Sequence, residues 1–184
     1  MVLEEGRPAN CEGRQEREIR TYDYLDRLGI RYRRADHEAA MTMEDCLEID
    51  RLMGVNMCKN LFLCNRQGTD FYLLLMPGDK PFRTKELSAQ IGTARLSFAS
   101  AEKMEELLDI LPGAVSVMGL MNDREHKVNL LIDEDLLGQE WFGCHPCVNT
   151  SSLCFPTADL FEKFLPAVGY TYRTVRLTGD TTNA

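Results

Sequence analysis

Two short stretches of the chain carry side chains that could do chemistry, and the first is the pair Lys59 and Asn60. The pair stands at the start of the apolar run KNLFLCN, where a strand is expected to enter a core. Neighbouring strand residues point to opposite faces, so an exposed Lys59 would direct the Asn60 amide inward, where it needs hydrogen-bond partners. A lysine that guards an edge strand explains Lys59 alone. The two together favour the rim of a pocket.

The second stretch is GCHPC, in which His145 lies between Gly143 and Pro146. Pro146 fixes its own φ and restricts the residue before it, while Gly143 lets another backbone approach closely. Such a stiffened loop could hold an imidazole and exposed amides in a fixed direction. A simple turn with a solvent-facing histidine is the alternative.

Cys144 and Cys147 form a Cys-x-x-Cys pair in the same stretch, which raises a redox and a zinc interpretation. A thioredoxin-type pair is expected between an early strand and a helix, whereas this one lies late in the chain. A structural zinc site usually takes two such pairs, or one pair with two spaced histidines; Cys154 is near, but a fourth ligand at suitable spacing is missing. We therefore expect unreactive thiols and no metal.

Other signatures of catalysis are missing from the sequence. It has no Gly-x-Ser-x-Gly elbow and no glycine loop of the kind that cradles phosphate, which argues against a serine hydrolase and a nucleotide-driven enzyme. A cysteine nucleophile paired with His145 stays open, although no flanking pattern favours one of the seven cysteines. No cofactor is predicted.

Composition sets the broad class. The 184 residues are 44% hydrophobic and 27% charged, as in an ordinary globular protein. No apolar run approaches the roughly 20 residues that span a bilayer, and the polar N-terminus lacks the apolar core of a secretory signal, so we expect a cytoplasmic protein without a membrane partner. The net charge of −8 argues against broad wrapping of nucleic acid such as DNA. A local contact with a nucleic-acid end is still allowed, because basic residues gather at 31–34 and 80–85.

The elements that must position these residues follow from apolar spacing and from end signals. Predicted helices cover 15–28 with Gly29 at the end, a segment from Thr42 to Gly54 with Asp45 as capping-box partner, 84–91 capped by Thr84, a segment from Ser100 to Pro112–Gly113, and a closing helix capped by Thr157. Predicted strands cover 29–37, 59–65, 69–76, 95–100, 114–119, 128–133, 139–144 and 170–176.

These elements predict one domain. The strands are often linked as hairpins, most clearly through RQG between 59–65 and 69–76. This favours an α+β fold with a curved, mainly antiparallel sheet over a doubly wound parallel one. Residues 1–14 are expected to be a flexible segment, 15–177 the domain, and 178–184 a disordered tail.

Five segments taken together resemble the YbaK/prolyl-tRNA deacylase family. The order and spacing match from about Tyr24 to Tyr170, and the closest branch is that of free-standing proteins similar to the editing domain of bacterial prolyl-tRNA synthetase. The resemblance implies the fold of that domain, an antiparallel or mixed sheet surrounded by helices. The matching segments are KNLFL at 59–63, DFYLLLMPGDKPF at 70–82, RLSFAS at 95–100, PGAVSVMGLMND at 112–123 and GCHP at 143–146.

The resemblance also assigns site residues. The essential lysine of the family corresponds to Lys59, and its adjacent asparagine to Asn60. The Gly-x-His-Pro loop of the family corresponds to Gly143, His145 and Pro146. The family's histidine and threonine fall on His37 and Thr42, and its pocket-lining segment on Gly113 to Ser116, followed by Gly119. Val117 and Met118 stand where the family usually has Pro-Phe.

The activity implied is trans-editing: hydrolysis of the ester of mischarged Ala-tRNA(Pro). Lys59 would bind the terminal phosphate or the oxyanion, with amides around Gly143 completing the oxyanion hole. The His145 loop and Asn60 would hold the α-amino group, and the ribose 2′-OH would help to activate water. A pocket sized for alanine would exclude proline by clash.

The partner implied is the acceptor end of a mischarged tRNA, and a transient contact with an aminoacyl-tRNA synthetase is allowed. We expect a monomer or a weak dimer. Two alternatives stay open. One is the same reaction on Cys-tRNA(Pro) or on Ser- or Thr-charged tRNA, which the departure at Val117 and Met118 allows. The other is a non-catalytic module that binds tRNA or a synthetase, against which the presence of both Lys59 and His145 argues.

Overall fold

Two β-sheets form the framework of the protein, which we describe from a computed structural model over residues 1–40 and 42–179. The first sheet is antiparallel throughout, with the strand order β1-β2-β8-β7. Its strands are β1 (Leu3–Glu5), β2 (Arg33–Asp36), β7 (Trp141–Cys144) and β8 (Ser151–Pro156).

The second sheet is mixed, with the strand order β5-β3-β4-β6-β9. β3 pairs antiparallel with β4 and β5, whereas β4, β6 and β9 run parallel. Its strands are β3 (Lys59–Cys64), β4 (Phe71–Met76), β5 (Ser97–Phe98), β6 (Val128–Asp133) and β9 (Arg173–Val175). The predicted α+β class with antiparallel and mixed strands is confirmed, and the one curved sheet is resolved into two.

Helices connect and cover the sheets. They are α1 (Glu16–Arg27), α2 (Met43–Met53), α3 (Thr84–Ile91), α4 (Ala101–Leu108), α5 (Glu134–Leu137), the 3₁₀ helix Val117–Asn122 and a closing helix. The closing helix is continuous from Thr157 to Val168 and contains a π-helical stretch at Leu160–Phe164. Among the described residues, no helix has both the length and the apolar character that a membrane crossing requires.

Several helix ends follow from the predicted signals. The Thr42 hydroxyl accepts a hydrogen bond from the Asp45 amide while the Asp45 carboxylate accepts one from the Thr42 amide, which is the predicted capping box. Gly54 ends α2 in the left-handed conformation, with φ of 66°. Ser100 caps α4 by accepting from the Lys103 amide. The Asp50 carboxylate of α2 accepts a hydrogen bond from the Met57 amide, which holds α2 beside the chain that enters β3.

Two predicted caps are wrong. Arg83, not Thr84, occupies the N-cap position of α3, and Pro156, not Thr157, occupies that of the closing helix. In both places the helix begins one residue earlier than predicted. The N-cap residue has an extended backbone, and the threonine is already the first residue of the helix. Leu111, predicted inside α4, follows its left-handed end at Asp109.

The segment 114–119, predicted as a strand, instead leads into the 3₁₀ helix. Ser116 caps that helix by accepting from the Met118 amide, and Asn60 accepts from the Val117 amide. The backbone donors are therefore satisfied without a neighbouring strand. β8 is the reverse case, a fully formed strand where none was predicted.

Apolar side chains pack on both faces of the mixed sheet. Alternate residues of β4 divide between the two sides, with Leu73 and Leu75 in the main core and Leu74 and Met76 in a second core beneath α3. The same alternation along β3 directs Asn60 toward the main core, with Phe62. Lys59 is consequently directed to the opposite face.

The two ends of the chain have defined partners. β1 pairs with β2, and the Arg14 guanidinium forms an ion pair of 2.6 Å with Asp36. The flexibility predicted for residues 1–14 stays a prediction. Thr178 and Gly179 donate to the Glu86 carboxylate, and the rest of the predicted tail, residues 180–184, lies outside the described residues.

Candidate active site

A pocket of about 340 Å³ opens beside β3 and brings Asn60 and His145 together. Its floor and walls come from β3, β5, α4, the loop after α4 and the loop after β7. The lining residues are Cys58, Asn60, Leu61, Phe62, Phe98, Ala99, Met104, Gly113, Val115 and His145. Most of the wall is therefore apolar, and the polar groups are few.

His145 is held in one orientation by β8. Its Nδ1 lies 2.8 Å from the Ser151 carbonyl oxygen and must donate, because a carbonyl can only accept. In the neutral ring this leaves Nε2 as a hydrogen-bond acceptor. Burial lowers the pKa of His145, the nearby His37 acts in the same direction, and the Ser151 carbonyl opposes both. The imidazole is therefore neutral near pH 7.

His37 lies behind His145 rather than in the pocket wall. The two rings are 6.3 Å apart between centroids. His37 Nδ1 donates to the Glu38 carbonyl at 2.8 Å, and its Nε2 lies 2.8 Å from the Ser152 hydroxyl oxygen. His37 itself lines a separate, acidic cavity at the start of α2.

Asn60 points inward and finds two partners, as strand alternation predicts. Its Oδ1 accepts from the Val117 amide and its Nδ2 donates to the Cys58 carbonyl, each at 3.1 Å. The side chain thereby ties the 3₁₀ helix to β3. Val117 and Met118 are fully buried in the main core and do not line the pocket.

Lys59 is directed away from this pocket. Its ammonium donates to the Lys80 carbonyl oxygen at 2.8 Å, and Lys59 is absent from the pocket wall. Lys80 is itself engaged, because its ammonium lies 2.7 Å from Asp133 and 2.7 Å from Asp135. The structure thus places Asn60 and His145 together and sets Lys59 on the other face of β3.

Gly143 lies inside β7 and permits a close approach by the chain that enters β3. Its carbonyl accepts from the Cys58 amide at 3.1 Å, and a β-carbon at this position would lie 2.6 Å from the Met57 sulfur. On the other side of the same chain, a β-carbon at Gly78 would lie 2.3 Å from the Met57 carbonyl oxygen. Two glycines therefore clamp the segment before Lys59. Sequence reasoning missed Gly78, because a Pro-Gly pair by itself marks a turn and gives no sign of a distant backbone contact.

Four further predicted site residues lie outside the pocket wall, and three of them have local structural partners. Thr42 caps α2, and Ser116 is fully buried as the cap of the 3₁₀ helix. Gly119 packs against the end of α4, where a β-carbon would lie 2.6 Å from Ile110 Cδ1. Pro146 is buried in the loop after β7. Roles for these residues in substrate binding stay predictions.

The Cys-x-x-Cys pair is buried and reduced. Burial raises the pKa of the Cys144 thiol well above its usual range and that of the Cys147 thiol to about 12. Thiolate chemistry is therefore disfavoured at neutral pH. Within the described ranges, no three His, Cys, Asp or Glu side chains are arranged to hold a metal ion.

The fold and pocket define an α+β domain with a small, mostly apolar site that carries a neutral imidazole. The aminoacyl-tRNA editing domain family matches residues 37–163, which is more than half of the chain. The chain belongs to that family. Membership confirms the resemblance read from the sequence and the predicted enzyme class, an aminoacyl-tRNA editing hydrolase.

Individual relatives agree with this assignment. The chain is 33% identical over 153 residues to the prolyl-tRNA editing protein ProX of Acetoanaerobium sticklandii, covering 83% of this chain and 93% of that protein. It is 30% identical to prolyl-tRNA synthetase associated domain-containing protein 1 of Danio rerio, covering 81% of each.

A solved structure supports the fold. It is described as a candidate trans-editing enzyme for prolyl tRNA synthetase, and it matches with a TM-score of 0.66 at 18% identity over 89% of this chain and 98% of that one.

Proposed function

We propose that this protein is a trans-editing deacylase that removes alanine from mischarged tRNA(Pro). The observation that carries the proposal is the pocket that joins Asn60 and His145, two residues far apart in the sequence, within a fold of the editing family. Relatives named for prolyl-tRNA editing support the choice of tRNA. Support for alanine comes from the pocket itself.

The apolar wall of the pocket favours a small apolar side chain. The volume of about 340 Å³ lies near the lower end of the roughly 300–1,000 Å³ usual for ligand sites. Phe62, Met104 and Val115 contribute apolar wall, against which a methyl group packs well. Selectivity against proline requires that its ring clash with this wall when the ester is in place, whereas an added hydroxyl is rejected only about 100-fold by an apolar wall. Serine and cysteine are thus expected as weaker substrates.

The chemistry requires a grip on the amino group, an attacking water and a stabilised oxyanion, and the pocket residues account for the first of these. Neutral His145 offers Nε2 as an acceptor for the substrate's α-ammonium group, while Asn60 keeps the neighbouring wall in place. A water oxygen attacks the ester carbonyl carbon, and the carbon–oxygen bond to the ribose breaks as that oxygen takes a proton. We assign the activation of water to the neighbouring 2′-OH of the ribose.

Lys59 is assigned to the phosphate of the terminal nucleotide. Its ammonium is half-buried and has a neutral carbonyl as partner in the unliganded protein, with no carboxylate at ion-pair distance among the described residues. A phosphate is a stronger partner for an ammonium than a carbonyl, because both groups carry charge. The side chain would therefore leave Lys80 when the tRNA end binds.

The test is deacylation of proline tRNA charged with alanine, cysteine, serine or proline, using the wild type, Lys59→Met and Lys163→Met. Lys163 is an exposed lysine paired with Asp159 on the closing helix, so its variant controls for the loss of one charge. We expect alanine to be released fastest and Lys59→Met alone to lower the rate at least tenfold. Absence of hydrolysis with every charged tRNA contradicts the function, and an unchanged Lys59→Met contradicts the role of Lys59.

A further inference from the structure

Phe98 is a large aromatic residue that the fold leaves in solvent. It is 64% exposed and belongs to neither of the two main apolar clusters of the described residues. It lies on β5, the two-residue edge strand of the mixed sheet, and it lines the mouth of the pocket that holds His145. Its ring meets Phe82 edge-on, with centroids 6.3 Å apart. Core packing therefore does not account for an aromatic side chain at this position.

Cations flank this aromatic pair. Arg83 follows Phe82 directly, Lys85 lies in the first turn of α3, and Arg95 precedes Phe98 by three residues. All three are exposed, and none forms an ion pair within the described part of the chain. In a protein with a net charge of −8, this surface offers positive charge beside exposed rings.

We propose that this aromatic and basic surface binds the unpaired 3′ end of the tRNA, with the terminal adenine stacked on Phe98. Single-stranded nucleic acid is recognised by aromatic rings that stack on bases and by cations that follow the phosphates. β5 is too short to pair with an incoming protein strand over a useful length, and the charge fits a polyanion. The inference rests on the proposed function, since it names the part of that substrate held outside the pocket.

The position of Phe98 fits the covalent structure of the substrate. The terminal ribose carries both the aminoacyl ester and the adenine, so a base-binding surface must lie within one nucleotide of the ester pocket. Phe98 and His145 line the same pocket, and Phe98 is the exposed member. We therefore place the base on the ring of Phe98 and the ester at His145.

Binding of an uncharged RNA tests this inference separately from catalysis. The probe is a fluorescein-labelled single strand ending in CCA, titrated with the full-length protein and followed by fluorescence anisotropy. Phe98→Leu keeps an apolar side chain without a flat face, Phe98→Trp keeps a ring, and Tyr172→Leu removes a 41% exposed ring beside β9 at the opposite edge of the sheet. We expect at least tenfold weaker binding for Phe98→Leu only.

An abasic 3′-terminal nucleotide identifies the partner of the ring. It should weaken binding to the wild type by a similar factor and have little further effect on Phe98→Leu. Equal affinities for wild type and Phe98→Leu, or for CCA and abasic strands, overturn the proposal. A wild type that binds CCA through Phe98 but releases no amino acid contradicts the proposed function and leaves this inference standing.

The salt dependence tests the cations. Arg83→Gln combined with Arg95→Gln should reduce the slope of log affinity against log salt by about 1.4, since each phosphate contact to a single strand contributes about 0.7. Arg51→Gln, on α2, is the control. An unchanged slope in the double variant overturns the assignment of Arg83 and Arg95.

Discussion

The Nδ1 atom of His145 donates to the carbonyl oxygen of Ser151 at 2.8 Å, and this contact leaves Nε2 as the acceptor nitrogen of a neutral ring that lines the pocket. Ser151 is the first residue of β8, which pairs with both β2 and β7. The orientation of the imidazole is therefore set by the antiparallel sheet. Its protonation state is set mainly by burial.

A pH dependence follows from the lowered pKa of His145. The unfolded chain binds a proton at this histidine below about pH 6.5, whereas the folded protein binds it only at a lower pH. The free energy of unfolding should therefore decrease as the pH falls through and below 6.5. Urea unfolding at pH 7.5 and 5.5 measures the decrease, which should be smaller in His145→Gln. Equal decreases in the two proteins would contradict the lowered pKa.

The rate of ester hydrolysis should follow the same titration. Neutral His145 is the form assigned to substrate binding, so kcat/KM should be insensitive to this group near pH 7 and should fall only at a pH below the ordinary histidine value of about 6.5. Comparison with His145→Gln separates this titration from those of other groups. A fall of equal size in that variant would show that another residue is responsible.

Substitution of Thr42 distinguishes a structural role of this residue from a role in substrate binding. Its hydroxyl completes the capping box of α2, so Thr42→Ala should lower the free energy of unfolding by about 1 kcal/mol and Thr42→Ser by less. The cap alone predicts an unchanged kcat/KM for Ala-tRNA(Pro) in both variants. A lower kcat/KM in folded Thr42→Ala, restored in Thr42→Ser, would instead support the substrate role implied by the family resemblance.

The two glycines that clamp Met57 should differ in their sensitivity to substitution. Gly78→Ala places a methyl group against the Met57 backbone oxygen, which cannot move independently, and should cost about 1–3 kcal/mol. Gly143→Ala meets the flexible Met57 sulfur and should cost less. Gly138→Ala, with open space and a negative φ, is the control and should cost little. Urea unfolding of the three variants gives the order, and a more stable Gly78→Ala than Gly143→Ala would contradict the clamp.

Local signals predicted the elements whose ends are set by neighbouring residues. The Thr42 and Asp45 capping box, the left-handed Gly54 and the hairpin of β3 and β4 all occur as predicted. The inward direction of Asn60 also followed from strand alternation. Each of these depends on contacts within a short stretch of chain or on backbone geometry.

The sequence could not predict the elements and side-chain directions that depend on residues far away in the chain. A 3₁₀ helix begins at Val117, inside the predicted strand 114–119, and its first amide donates to Asn60, which is far away in the sequence. β8 begins with two serines and lacks the usual alternation because nearly all of its residues are buried between β2, β7 and the core. The carbonyl partner of Lys59 likewise comes from another segment. The sequence therefore indicated which residue types belong to the site, but the direction of each side chain depends on partners far away in the sequence.

The ratio of kcat/KM for Ala-tRNA(Pro) to that for Pro-tRNA(Pro), measured with the purified wild-type protein, tests the central claim most directly. A pocket that accepts a methyl group and excludes the proline ring by clash predicts rapid loss of alanine and a ratio of at least about 100. A ratio near one, or faster loss of proline, would contradict the assignment of this protein as an editing enzyme that spares the correct product.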